Sequence, residues 1–146
     1  MSLTMTKEER EVFLAEVHVA IISIPESGRG PLTVPVWYAF VPDGEFHIWT
    51  GRGSRKARLL REAGRFSLCV QQETPPYKYV SAEGPVATIE PIQLERDLRP
   101  LVNRYLGAEE GSNFIEGLGG DSAGTGDVLI RMRPERWLSE DYSKRS

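Results

Sequence analysis

Residues 49–56, Trp49-Thr50-Gly51-Arg52-Gly53-Ser54-Arg55-Lys56, admit few folds, because they join the end of a strand (Phe46 to Trp49) directly to a helix expected from Arg55 to about Ala63. A helix start presents unpaired backbone N–H groups and a partial positive charge, and an anion docks there readily. Arg52, Arg55, Lys56 and Arg58 reinforce that field, Thr50 and Ser54 bring hydroxyls, and Ser54 also suits the N-cap. The stretch fits a phosphate cradle for a nucleotide-like cofactor. It fits equally a capped amphipathic helix with a solvated basic face, since the dipole disfavours a basic first turn only mildly.

The rest of the chain reads as strands around this junction. Thr6 and Glu9 have capping-box spacing, and Val12, Phe13 and Val17 fall on one face, so residues 7–16 are expected to form a short amphipathic helix. Val19 to Ile24, Leu32 to Phe40 and Phe46 to Thr50 form a predicted antiparallel meander, with Glu26 to Pro31 and Pro42 to Glu45 as its turns. Pro35 sits inside the second of these strands. It cannot donate to a ladder, so it marks an edge, a bulge or a place where the sheet opens. An opened sheet would turn backbone N–H groups toward a flat heterocycle, whereas an edge proline would simply guard against aggregation.

After the junction helix, Gly64 is a natural stop and Phe66 to Val70 a further strand. Tyr77 and Tyr79 alternate with Lys78, a spacing that serves ring stacking or ordinary cross-strand packing. Gly84-Pro85 bends that strand, which continues to Ile89, and a long bent strand suits a barrel. Residues 92–106 are helical by pattern, with Pro100 expected to kink or divide the helix. Asn113 to Leu118 are read as an added turn, Gly117 to Gly126 as a connection or mobile flap, and Val128 to Met132 as the last strand. Residues 138–146 read as a polar tail beyond a core over 6–137.

Several chemistries are excluded. A net charge of -3 argues against general nucleic-acid binding. One cysteine, Cys69, permits no internal disulfide and no multi-cysteine zinc site, and His18 and His47 lack metal-ligand spacing. No G-x-S-x-G or GK[ST] occurs. Gly51-Arg52-Gly53 opens a G-x-G-x-x-G that fails at Lys56, and the alternating strands and helices of a dinucleotide fold are missing. No apolar run approaches a membrane span. The 146 residues therefore read as one domain of a cytoplasmic protein with no membrane partner. Five or six antiparallel strands, with helices inserted at one crossover, indicate a β-barrel.

The order of elements, with Thr33-Val34-Pro35-Val36-Trp37-Tyr38, Trp49-Thr50 through Ser54-Arg55-Lys56 with Leu59-Leu60, and Tyr79-Val80-Ser81-Ala82-Glu83-Gly84, resembles the pyridoxamine 5'-phosphate oxidase-like split-barrel superfamily. Within it, the chain is similar to the deazaflavin-dependent oxidoreductases of actinobacteria. The likeness spans residues 6–137. It implies a mostly β fold, a six-stranded antiparallel split β-barrel with flanking helices, that pairs as a homodimer with cofactor sites at the interface.

The cofactor implied is coenzyme F-420 or FMN. Thr50, Ser54, Arg55 and Lys56 would hold its phosphate, beside Trp49. Val34, Pro35, Val36 and Trp37 would line the ring, Tyr77 and Tyr79 would approach from the partner subunit, and Trp137 would cover the site. The implied activity is hydride transfer to a planar conjugated small-molecule acceptor, with solvent or Tyr79 as the proton source and no metal; the alternatives are an FMN-dependent oxidase or reductase of the same superfamily and a non-catalytic flavin- or deazaflavin-binding protein. The surplus of Arg52, Arg55, Arg58 and Arg61 suits the polyglutamate tail of F-420.

Overall fold

A computed structural model describes residues 2–145. Helix α1 (Lys7–Ala15) opens the fold, and Thr6 and Glu9 form the expected capping box. Its buried face is Phe13 and Leu14, whereas Val12 and Val17 are exposed. The C-terminal end of α1 is closed from outside the helix: the Arg104 guanidinium donates to the carbonyl oxygens of Leu14, Ala15 and Glu16 at 3.0, 3.1 and 2.7 Å.

Eight strand segments follow: β1 (Ala20–Ile24), β2 (Leu32–Val36), β3 (Ala39–Phe40), β4 (Phe46–Thr50), β5 (Arg65–Gln72), β6 (Lys78–Pro91), β7 (Val128–Met132) and β8 (Arg136–Asp141). Their order is β2-β1-β5-β6-β7-β4-β3, with β8 also paired to β6, and every pairing is antiparallel. The sheet is a split barrel. Six strands become eight segments for two reasons. The strand expected over 32–40 breaks at Trp37-Tyr38, so that β2 stays with β1 while β3 moves to β4. Residues 136–141, read as the approach to a polar tail, pair with Lys78 to Glu83 instead. Alternate burial along this strand, with Ser139 and Asp141 inward, is masked in sequence by their polarity.

Strand β6 belongs to both halves. Lys78 to Pro85 pair with β5, and Val86 to Pro91 pair with β7 across a register shift between Val86 and Thr88. Gly84 lies at the bend, where a Cβ would run into the Arg133 carbonyl, so the β7–β8 connection can cross only over a bare glycine.

The main core joins the barrel interior to Leu59 and Leu60 of helix α2 (Arg55–Ala63), each essentially fully buried. Each of these leucines contributes roughly 1.5–3 kcal/mol. A second cluster lies between β7 and the helices that follow β6. There a π-helical turn (Leu94–Leu98) leads into α3 (Arg99–Leu106), the division at Pro100 that the sequence predicts. Helix α4 (Ala108–Gly117) is longer than the turn expected from Asn113, and Gly111 lets it press against Asn103 of α3. The glycine-rich connection is folded onto this cluster through buried Ala123, with a 3-10 turn at Gly120–Ser122.

Candidate functional site

The junction between β4 and α2 has the local structure that its residues require. Ser54 caps α2, accepting the Ala57 N–H at 3.0 Å, and its hydroxyl lies 2.9 Å from that of Thr50, which is buried. The helix ends at Gly64 in a left-handed conformation. Neither the Arg55 nor the Lys56 backbone N–H has an acceptor among the described residues, so both face outward as free donors.

The side chains around this opening divide into two sets. Arg55 is tied to Glu26 at 2.6 Å, and that hydrogen bond holds the Glu26 carboxyl below the usual range. Arg58 faces Glu62 one turn on. Lys56 and Arg52, by contrast, have no carboxylate partner among the described residues. Arg61 donates to the Arg52 carbonyl at 3.3 Å, and the two arginines line a cleft of about 400 Å³ that runs from the junction toward Pro91, Asp127 and Val128. The Trp49 indole N–H donates at 2.9 Å to Asp127, which lines this cleft. Asp127, which fixes Trp49 and shapes the cleft, carries no motif that would single it out in sequence.

The ring-lining stretch lies on β2, which pairs only with β1, so Pro35 is an exposed edge proline. That is the edge reading of the proline; the sheet opens two residues later, at Trp37-Tyr38, where the Tyr105 hydroxyl accepts the Tyr38 N–H at 3.0 Å. Val34 and Val36 pack toward the main core, while Trp37 stacks on Tyr105 at 4.8 Å and shares the second cluster with Trp49. The structure thus brings Trp37 and Trp49 to the same cluster.

Tyr77 and Tyr79 stand elsewhere. Tyr79 is opposite Gln71 and Glu140, at the start of β6. Thr50 pairs with Val128, which pairs with Pro91 at the far end of that strand. About 40 Å of chain, at about 3.3 Å per residue, separates the two ends. Within one chain these tyrosines do not meet the cradle. Burial and the nearby Glu140 carboxylate, to which the hydroxyl donates at 3.2 Å, raise the Tyr79 phenol above its ordinary pKa, making it a poor acid. Trp137 packs on Phe40 and Phe46, at the Phe46 end of β4, and does not cover the cradle at the Thr50 end.

Among the described residues no group of three or more His, Cys, Asp or Glu side chains could hold a metal, and no helix is long and apolar enough to cross a membrane. The family profile of pyridoxamine 5'-phosphate oxidase matches residues 5–140, nearly the whole split barrel. The chain belongs to the pyridoxamine 5'-phosphate oxidase family. No curated protein matches it. Its fold is similar to that of a conserved hypothetical protein from Mycobacterium tuberculosis, at 24% identity and a TM-score of 0.79, covering 97% of this chain and 88% of that one. An F-420 reductase aligns at 18% identity and a TM-score of 0.69 over 88% of this chain and 94% of its own. HutZ, a heme storage protein from Vibrio cholerae, aligns at 17% identity and 0.61 over 96% of each. One barrel fold, then, serves proteins named for reduction and for storage.

Proposed function

We propose that this chain is an oxidoreductase that holds coenzyme F-420 by its phosphate and serves hydride transfer to a planar conjugated small molecule. One observation carries the reading. The start of α2 offers two free backbone donors, the Thr50–Ser54 hydroxyl pair and the unpartnered Lys56 ammonium in one place, a donor set suited to a phosphate. When bound, the deazaflavin ring supplies the hydride chemistry, so the chain need only bind, orient and exclude water. Arg55, although paired with Glu26, adds positive charge at the rim. Trp37 and Trp49, which share one cluster, and the backbone of Val34 to Val36, whose valine side chains turn to the main core, would line the ring.

The reading includes a homodimer: within one chain Tyr77 and Tyr79 stand apart from the cradle, and a second copy would have to bring them to it. The Arg52–Arg61 cleft supports F-420 over FMN, since it continues beyond the phosphate position and would receive an anionic tail. FMN is the second reading, favoured by Asp127 and Glu90 on the same cleft, two carboxylates that oppose such a tail. A cytoplasmic setting accompanies either, with the one thiol, Cys69, partly buried and free.

The test is a side-by-side titration of the purified protein with F-420 and FMN, followed by turnover with a set of conjugated acceptors. Tighter binding of F-420, and oxidation of its separately supplied reduced form by an acceptor, are expected. Tighter FMN binding moves the assignment to the second reading, and failure to bind either removes both.

A further inference from the structure

A second pocket, of about 240 Å³, opens at the other end of the barrel, between α1, the β3–β4 turn and the β7–β8 connection. Its position follows from register: Asp43 and Gly44 precede Phe46, and Arg133 follows Met132, the partner of Phe46. The apolar part of its wall is Phe40 and Trp137, whose rings meet edge to face at 6.0 Å. Such a corner accepts a flat ring by stacking on one wall and meeting the edge of the other.

The polar part is cationic. The Arg10 guanidinium lies 4.4 Å from the centre of the Trp137 ring, and Arg133 stands on the connection beside it. Neither has a carboxylate partner among the described residues. The carboxylates that line the pocket are already engaged: Asp43 pairs with Lys7, and Glu11 accepts the Asp43 backbone N–H at 3.1 Å. Two guanidiniums therefore face an aromatic corner with their N–H forks unspent. A guanidinium held over an indole face keeps its edge donors free, and that edge matches a carboxylate in a two-point contact.

We propose that this pocket is a binding site for a small aromatic carboxylate of one or two rings, separate from the cradle at the start of α2. The aromatic body lies against Phe40 and Trp137, and the carboxylate is held by Arg10 and Arg133. The volume suits a ligand smaller than a nucleotide cofactor. The site stands on its own residues and does not rest on the redox reading.

The test follows the indole N–H resonance of Trp137, assigned by Trp137→Phe, while intact protein is titrated with naphthoate and, separately, with uncharged naphthamide. A saturable shift with naphthoate is expected, with the amide and the variants Arg10→Gln and Arg133→Gln each binding about tenfold or more weakly. The Arg133 side chain is exposed and makes no ion pair among the described residues, so its variant remains readable if Arg10→Gln fails to fold. No saturable shift, equal affinity for acid and amide, or unchanged affinity in a folded variant overturns the proposal.

Discussion

The phenol oxygen of Tyr105 lies 3.0 Å from the backbone nitrogen of Tyr38 and accepts its N–H. The same hydroxyl lies 2.7 Å from the His18 carbonyl, to which it donates. Between β2 and β3 the chain changes sheets and loses its ladder partners, and a buried backbone group left unpaired there would be costly. A side chain from α3 replaces the missing strand, and its ring carries Trp37 stacked at 4.8 Å.

Tyr105→Phe keeps the stacking and removes the oxygen. The variant is expected to unfold at lower urea, by about 1–3 kcal/mol, because the Tyr38 N–H is left without an acceptor. Equal unfolding midpoints would show that the seam needs no such bond.

Lys56→Ala separates binding from stability. The side chain makes no ion pair among the described residues, so the unfolding midpoint should not move, while cofactor affinity should fall by about 1.5–3 kcal/mol. Ser54→Ala should lower both, costing about 1 kcal/mol of stability through the lost cap. Calorimetric titration beside denaturant melts reads the two effects, and unaltered affinity in Lys56→Ala would place the anion elsewhere.

Arg104→Met removes the donors at the end of α1 and is expected to cost about 1.5–3 kcal/mol. Amide exchange in the last turn of α1 should speed up. Arg104→Lys should recover little, since an ammonium cannot reproduce a planar fork spread over three carbonyls. Full recovery by lysine would reduce the contact to charge alone.

Acid sensitivity should trace in part to Glu9. Its hydrogen bond with Lys144, then the Thr6 backbone, lowers its pKa from 4.5 to about 2. The folded value is the depressed one, so this stabilisation is fully present above about 4.5 and is lost as the pH falls toward about 2. The difference in unfolding midpoint between wild type and Glu9→Gln should shrink across that window. A constant difference from pH 6 to about 2 would remove Glu9 from the account.

The elements that could be read in the chain are those whose signal is local. The Thr6–Glu9 box, the Ser54 cap, the Gly64 stop and the division at Pro100 each depend on a few neighbouring residues, and each is present. Strand β8 escaped because its buried positions include Ser139 and Asp141, satisfied by Met5 and Ser143 rather than by apolar packing. Helix α4 begins at Ala108, ahead of the turn expected at Asn113, and what seats it is the close approach of Gly111 to Asn103, a tertiary contact that no local pattern encodes. In the site, Thr50, Ser54 and Lys56 were legible as one linear stretch. The Trp49–Asp127 bond joins residues far apart in sequence, and the distance of Tyr79 from the cradle is set by the register of a long strand that no short motif encodes.

Because β6 contributes backbone to both halves of the barrel, the halves are welded along that strand, and the chain crosses between them again at Trp37-Tyr38 and through helix α2. They cannot swing apart as independent jaws. At the Trp37-Tyr38 crossing the phenol of Tyr105 is the latch, fastened at once to the Tyr38 N–H and the His18 carbonyl.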